Sequence, residues 1–121
     1  MSVRIVTDSS AYLQPGIAKE LDIVVLPFHV RIGDREYLDG IDLDEETFNH
    51  LVYEKGKPSS TSPPTVQEFH RAYEQLNAET SQIVSIHISG TLSETCNQAE
   101  EAAGLLLGRC QIEVIDSDLG Q

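Results

Sequence analysis

The stretch "QIVSIHISGTLSETCNQA" (residues 82–99) decides what kind of fold this chain adopts. Its first seven residues, Gln82 to Ile88, form an apolar run dense enough for a strand in the middle of a sheet. The run breaks at Gly90, among the hydroxyl side chains of Ser89, Thr91, Ser93 and Thr95. Beyond it Leu92, Cys96, Ala99, Ala103 and Leu106 fall on one stripe at helical spacing. A strand that passes through a short hydroxyl loop into a helix is the building unit of a parallel sheet.

The same alternation extends in both directions. Upstream, "VRIVTD" (3–8) is a β-branched run ending in Asp8-Ser9-Ser10, a helix-entry loop before a short helix from Pro15 to Leu21. "IVVLPFHVRI" (23–32) is a second extended run in which Pro27 marks a kink or an edge. Gly33-Asp34 then turns the chain back through Arg35, Glu36 and Tyr37 as a hairpin. Asp42 with Glu45 reads as a capping box opening a helix that carries Phe48, Leu51 and Val52 to about Glu54, where Gly56 ends it. "GKPSSTSPPT" (56–65) reads as a loop, and Thr65 with Glu68 forms a second capping box before Val66, Phe69, Tyr73 and Leu76 on one helical face. "QIEVID" (111–116) is the last strand. The expected architecture is α/β: one domain over residues 1–121, with a mostly parallel sheet and helices on both faces.

Bulk properties narrow the function. The 121 residues carry 20 acidic against 8 basic side chains, a formal charge of −12, which disfavours nucleic acid and anionic membrane surfaces as partners. No apolar run reaches the roughly 20 residues of a spanning helix. Cys96 and Cys110, with no signal-peptide pattern, read as reduced thiols of a cytoplasmic protein.

Ligands of such sheets gather beyond the carboxyl ends of the strands. Thr7–Ser10, Ser89–Thr95 and Asp116–Ser117 lie there. The hydroxyl cluster at 89–95 serves either as helix caps or, with a second hydroxyl set at Thr61-Ser62, as donors converging on one carboxylate or phosphate. Asp8-Ser9 invites a nucleophile, but no histidine lies near it in sequence, and capping of the first helix is the simpler reading. His29, His50, His70 and His87 are scattered without an i, i+4 pair, so no zinc site is expected. The phosphate motifs GxxxxGK[ST] and GxGxxG are absent. "DGIDLDEE" (39–46) reads as a turn followed by an acidic first helical turn.

Together "IVTDSSAYL" (5–13), "VVLPFHV" (24–30), "YLDGIDLDEETF" (37–48), "STSPPTVQEFHRAYEQL" (60–76), "IVSIHISGTLSETCNQA" (83–99) and "IEVIDS" (112–117) resemble, in order and spacing, the N-terminal part of a DegV-family protein. The resemblance implies a cytoplasmic protein that binds a long-chain fatty acid without covalent attachment. It also implies presentation of the acid's carboxyl group to the catalytic subunit of a fatty acid kinase, with no catalysis of its own and no metal or cofactor besides the acid. Matched residue by residue to the family's "TSQPS" and "LSGT" motifs, Thr61, Ser62 and Ser93 would hold the carboxyl group. Pro63, Thr65 and Glu94 depart from those motifs, Glu94 standing where glycine is usual. Family members are roughly twice this length, so the second lobe is absent from this chain, and the apolar face left open makes a homodimer one expectation. Two readings of other kinds stay open: a phosphoryl- or acyl-transfer domain using Ser93 or Asp8, and a dimerising fragment that binds nothing.

Overall fold

The computed structural model describes residues 3–11, 13, 15–87 and 93–116, with backbone alone at 10, 15 and 93. Strand β1 (Arg4–Asp8) leads through a 3-10 turn (Ser9–Ala11) to α1 (Pro15–Glu20) and β2 (Val24–Leu26). Next come β3 (His29–Ile32), β4 (Arg35–Leu38), α2 (Glu45–Asn49) with a π-helical turn (His50–Glu54), and β5 (Ser59–Ser62). The remainder is α3 (Val66–Asn77), β6 (Gln82–His87), α4 (Ser93–Gly104) and β7 (Gln111–Asp116). Two sheets result: a parallel one in the order β2-β1-β6-β7 and an antiparallel one in the order β4-β3-β5.

The apolar run of β6 is central, as its density requires. Ile83 pairs with Arg4 on one side and Ile112 on the other. Ile83, Ser85 and His87 alternate onto one face and are buried there. Against that face α3 packs Phe69, Tyr73 and Leu76, and α4 packs Ala99 and Ala102. The capping box opening α3 is complete: the Glu68 N–H donates to Thr65 Oγ1 at 3.2 Å and the Thr65 N–H to Glu68 Oε1 at 2.8 Å. Val24 and Leu26 join this core, so the intervening Val25 points to the opposite face, where it shares an apolar groove with Ala18 of α1. Helices therefore flank both faces. The α1 face is the thinner side: Ile17 and Leu21 are exposed, and Leu13, Val25 and Ile41 line a groove of about 360 Å³.

The second sheet has its own cluster, in which Val30, Ile32 and Leu43 are buried with Tyr37, Phe48, Leu51 and Val52 packed against them. Gly33, at φ 64°, makes the turn between β3 and β4.

Three local expectations are corrected. The stretch from Ser59 to Ser62 is an edge strand paired with β3, not loop; its four residues are all exposed, so no apolar alternation announces it. The helix starting near Asp42 is capped instead by Asp44, which accepts from the Thr47 N–H at 2.7 Å. Asp42 is taken by the preceding turn, accepting from the Leu38 N–H. The regular α-helix also stops at Asn49, because the chain widens into a π turn in which the Lys55 N–H reaches His50 O at 3.0 Å.

Candidate functional site

From β1 the chain steps to β2 on one side, while β6 lies on the other, so the strand order reverses between β1 and β6. In parallel sheets this is where a crevice opens at the carboxyl ends. The β1–β6 ladder runs to Val6 and Ser85. Past it, side chains hold the strands together: Thr7 Oγ1 donates to Ile86 O at 2.7 Å, and Asp8 Oδ2 lies 2.5 Å from His87 Nδ1.

This last contact is one end of a buried chain of hydrogen bonds. Tyr73 donates its O–H to Ser85 Oγ at 2.7 Å. Ser85 has one proton left to give, and its partner is His87 Nε2 at 2.8 Å. Nε2 thus accepts, which assigns the ring proton to Nδ1 and directs it at Asp8. Burial pushes the Tyr73 hydroxyl well above its usual range, keeping it a proton donor. Phe69 closes the space beside His87 with an edge-to-face contact at 5.3 Å.

Asp8 does have a histidine, one that lies 79 residues away in sequence. Ser9 turns toward the second sheet: its Oγ accepts from the Phe28 N–H at 3.0 Å. The signal that could have found the pair was present: Asp8 ends one parallel strand, and His87 shares a face with Ile83 and Ser85 on another. Asp8, His87 and Ser85 have the residue types of a nucleophilic triad. However, Ser85 is 0% exposed and already bonded to Tyr73, so no substrate carbonyl can approach it. The set ties β1, β6 and α3 together beneath the crevice.

Above it, two helix starts face the same rim. Right-handed crossovers place α3 and α4 on one side of the sheet, both antiparallel to the strands, and the two helices pack on each other. Their N-terminal N–H groups open where the strands end.

Ser93 opens α4; its side chain lies outside the described residues, as do Ser89, Gly90, Thr91 and Leu92. Glu94 is exposed in the first turn, a favourable place for an acidic side chain. Thr95 is buried, and among the described residues its Oγ1 has no hydrogen-bond partner. Cys96 is half-buried; burial, reinforced by the negative charges of Asp116, Glu100 and Asp8, raises its thiol to about 11, which disfavours the thiolate near neutral pH.

Thr61 and Ser62 are exposed on β5, the edge strand, whose last residue, Ser62, lies three positions before the cap of α3. Thr61 pairs with Val30 and Ser62 with His29. Consecutive strand residues point to opposite faces, so Ser62 shares the His29 face and Thr61 the face of the Val30 cluster. His29 Nε2 lies 2.8 Å from Glu68 Oε1, and its Nδ1 is 3.6 Å from Glu36. Burial raises the Glu68 carboxyl, but hydrogen bonds from His29 and Thr65 outweigh this and hold it below the usual range. Among the described residues no group of three or more His, Cys, Asp or Glu side chains could hold a metal ion, and no helix is long and apolar enough to cross a membrane.

Comparison with known proteins adds relatives to this geometry. A sequence profile described as "Uncharacterised protein, DegV family" matches residues 2–121. The DegV domain-containing protein YejH of Lactococcus lactis subsp. lactis (strain IL1403) is 43% identical over 119 residues, covering 98% of this chain and 41% of YejH. A DegV family protein from Thermus thermophilus, solved in a study of its fatty acid binding, superposes with a TM-score of 0.85 at 31% identity, over 96% of this chain and 41% of that one. The Streptococcus pneumoniae Fatty Acid Kinase (Fak) B3 protein, loaded with linoleic acid, superposes with a TM-score of 0.77 at 27% identity, over 97% of this chain and 42% of that one. The chain thus spans less than half the length of the relatives it matches. With a profile match across nearly every residue and a shared fold, this chain belongs to the DegV family.

Proposed function

We propose that this chain binds a long-chain fatty acid non-covalently, with Thr61, Ser62 and Ser93 hydrogen-bonding the carboxyl group, and presents that group to a fatty acid kinase. The observation that carries the reading is the likeness to the fatty-acid-binding Thermus thermophilus protein over 96% of the chain. The Fak B3 likeness supports the kinase partner.

The physics favours such a division of labour. A carboxylate leaving water needs several donors in return, and hydroxyls beside helix N-termini supply them without a fixed positive charge. The tail provides the affinity: about 15 methylenes at about 0.8 kcal/mol each give a gross term of about 12 kcal/mol. Part of that burial is assigned to the portion of the relatives that this chain does not span, this chain acting as one lobe. No metal or cofactor enters the proposal, and neither does a catalytic step, because the Asp8 that a transfer reaction would call on is enclosed against His87. A cytoplasmic location fits the reduced cysteines. In isolation the chain would pair through its exposed apolar face, which sedimentation with and without lipid would register.

Delipidated chain incubated with oleic acid, desalted and extracted for mass spectrometry tests the reading. Unmodified oleic acid should be retained by the wild type and reduced in Ser93→Ala and Ser62→Ala. A covalent adduct or turnover would replace it with an enzyme, and no retained acid would refute it.

A further inference from the structure

We propose that His29 and Glu68 form a latch that positions the hydroxyl of Ser62, a role that rests on the head-group reading of Ser62. Three contacts, from the cap of α3 and from β3, meet at one carboxylate oxygen. Glu68 Oε1 accepts from the Thr65 N–H at 2.8 Å, from the Thr65 hydroxyl at 3.2 Å, and lies 2.8 Å from His29 Nε2. Thr65 begins α3. His29 begins β3 and pairs in register with Ser62, the last residue of β5. Between Ser62 and Thr65 stand only Pro63 and Pro64, which have restricted φ and no N–H to give.

The consequence is mechanical. A stiff two-residue connector transmits any shift of the helix start to the strand end, and the His29–Glu68 contact is the side-chain link that closes this short loop. On the described elements packed around the imidazole, the charged groups that face it are Glu68 from α3 and Glu36 from β4, the latter at 3.6 Å, too long for a hydrogen bond. The His29 and Glu68 side chains are 19% and 32% exposed, so the link sits at the rim rather than in the core. Ser62 projects on the same face as His29, and its reach toward a ligand follows from where the latch holds the strand.

The test compares wild type, His29→Ala, His29→Phe, His29→Gln and Ser62→Ala for oleic acid binding, together with the amide NMR signals of Ser62 and Thr65. His29→Ala and His29→Phe should each weaken binding about tenfold and shift both amides. Phe fills the space without a donor and so serves if the alanine variant does not fold. His29→Gln, whose amide N–H can reach Glu68, should restore most of the affinity, which a mere filler of space would not. If Ser62→Ala weakens binding while His29→Ala and His29→Phe leave it unchanged, the latch is wrong and the head-group reading survives. If the wild type binds no oleic acid, the head-group reading fails. Unmoved Ser62 and Thr65 amides in the His29 variants would then overturn the latch as well.

Discussion

Removing Ser85 should cost more than removing Ser85 and Tyr73 together. Ser85 sits mid-way in the buried chain, accepting from Tyr73 at 2.7 Å and serving His87 Nε2 at 2.8 Å, and none of the three side chains reaches solvent. Ser85→Ala leaves the Tyr73 O–H without an acceptor and His87 Nε2 without a donor. At about 1–3 kcal/mol for each buried orphan, the loss is about 2–6 kcal/mol. Tyr73→Phe alone removes one neutral hydrogen bond and leaves Ser85 bonded to His87, costing about 1 kcal/mol. In the double variant the tyrosine orphan is gone, so adding Tyr73→Phe to Ser85→Ala should return about 1–2 kcal/mol instead of subtracting another one. Urea unfolding of the four proteins, with unchanged slopes and shifted midpoints, reads these differences. In heat the double variant should melt about 4 °C above Ser85→Ala for each kcal/mol regained. Additive losses would refute the directed chain from Tyr73 to Asp8.

Other outcomes follow from the same geometry. Glu68 titrates below the ordinary glutamate value in the folded chain, so its stabilising contribution is complete above about pH 4.5 and is lost as pH falls through the lowered value; Glu68→Gln should flatten that part of the acid-unfolding curve. Buried and without a partner among the described residues, Thr95 Oγ1 predicts that the isosteric Thr95→Val raises stability by about 1 kcal/mol, whereas a loss would mean the hydroxyl has a partner in solution. With its thiol raised to about 11, Cys96 should react with iodoacetamide far more slowly at about pH 8 than in urea-unfolded chain, and equal rates would contradict its environment.

What could be read in the sequence depended on distance along the chain. The Thr65–Glu68 box is local, three residues with complementary groups, and it forms as its pattern indicates. The density of Ile and Val in β6 is likewise a local signal of a central strand. The Asp42–Glu45 pattern had equal local credentials and failed because Leu38, on the preceding strand, claims the Asp42 carboxylate. β5 was invisible because Ser59 to Ser62 bury nothing, and a strand recognised by its partner's edge leaves no apolar rhythm. The Asp8–His87 contact was further out of reach. It exists only once β1 and β6 are neighbours, and strand order is not written in either segment. The hydroxyl residues stand between these cases: Thr61 and Ser62 stand out by type, but their division between two faces of an edge strand follows only from the pairing with Val30 and His29.

The central claim, that hydroxyls of this chain hold a fatty acid's carboxyl group, is tested most directly by NMR of oleic acid labelled with carbon-13 at its carboxyl. Added to the delipidated 121-residue chain, the label should give a bound resonance displaced from that of the free acid. In the combined Thr61→Ala, Ser62→Ala, Ser93→Ala variant that resonance should disappear while the fold persists. No bound resonance with the wild type, or an unchanged one with the triple variant, would contradict the account.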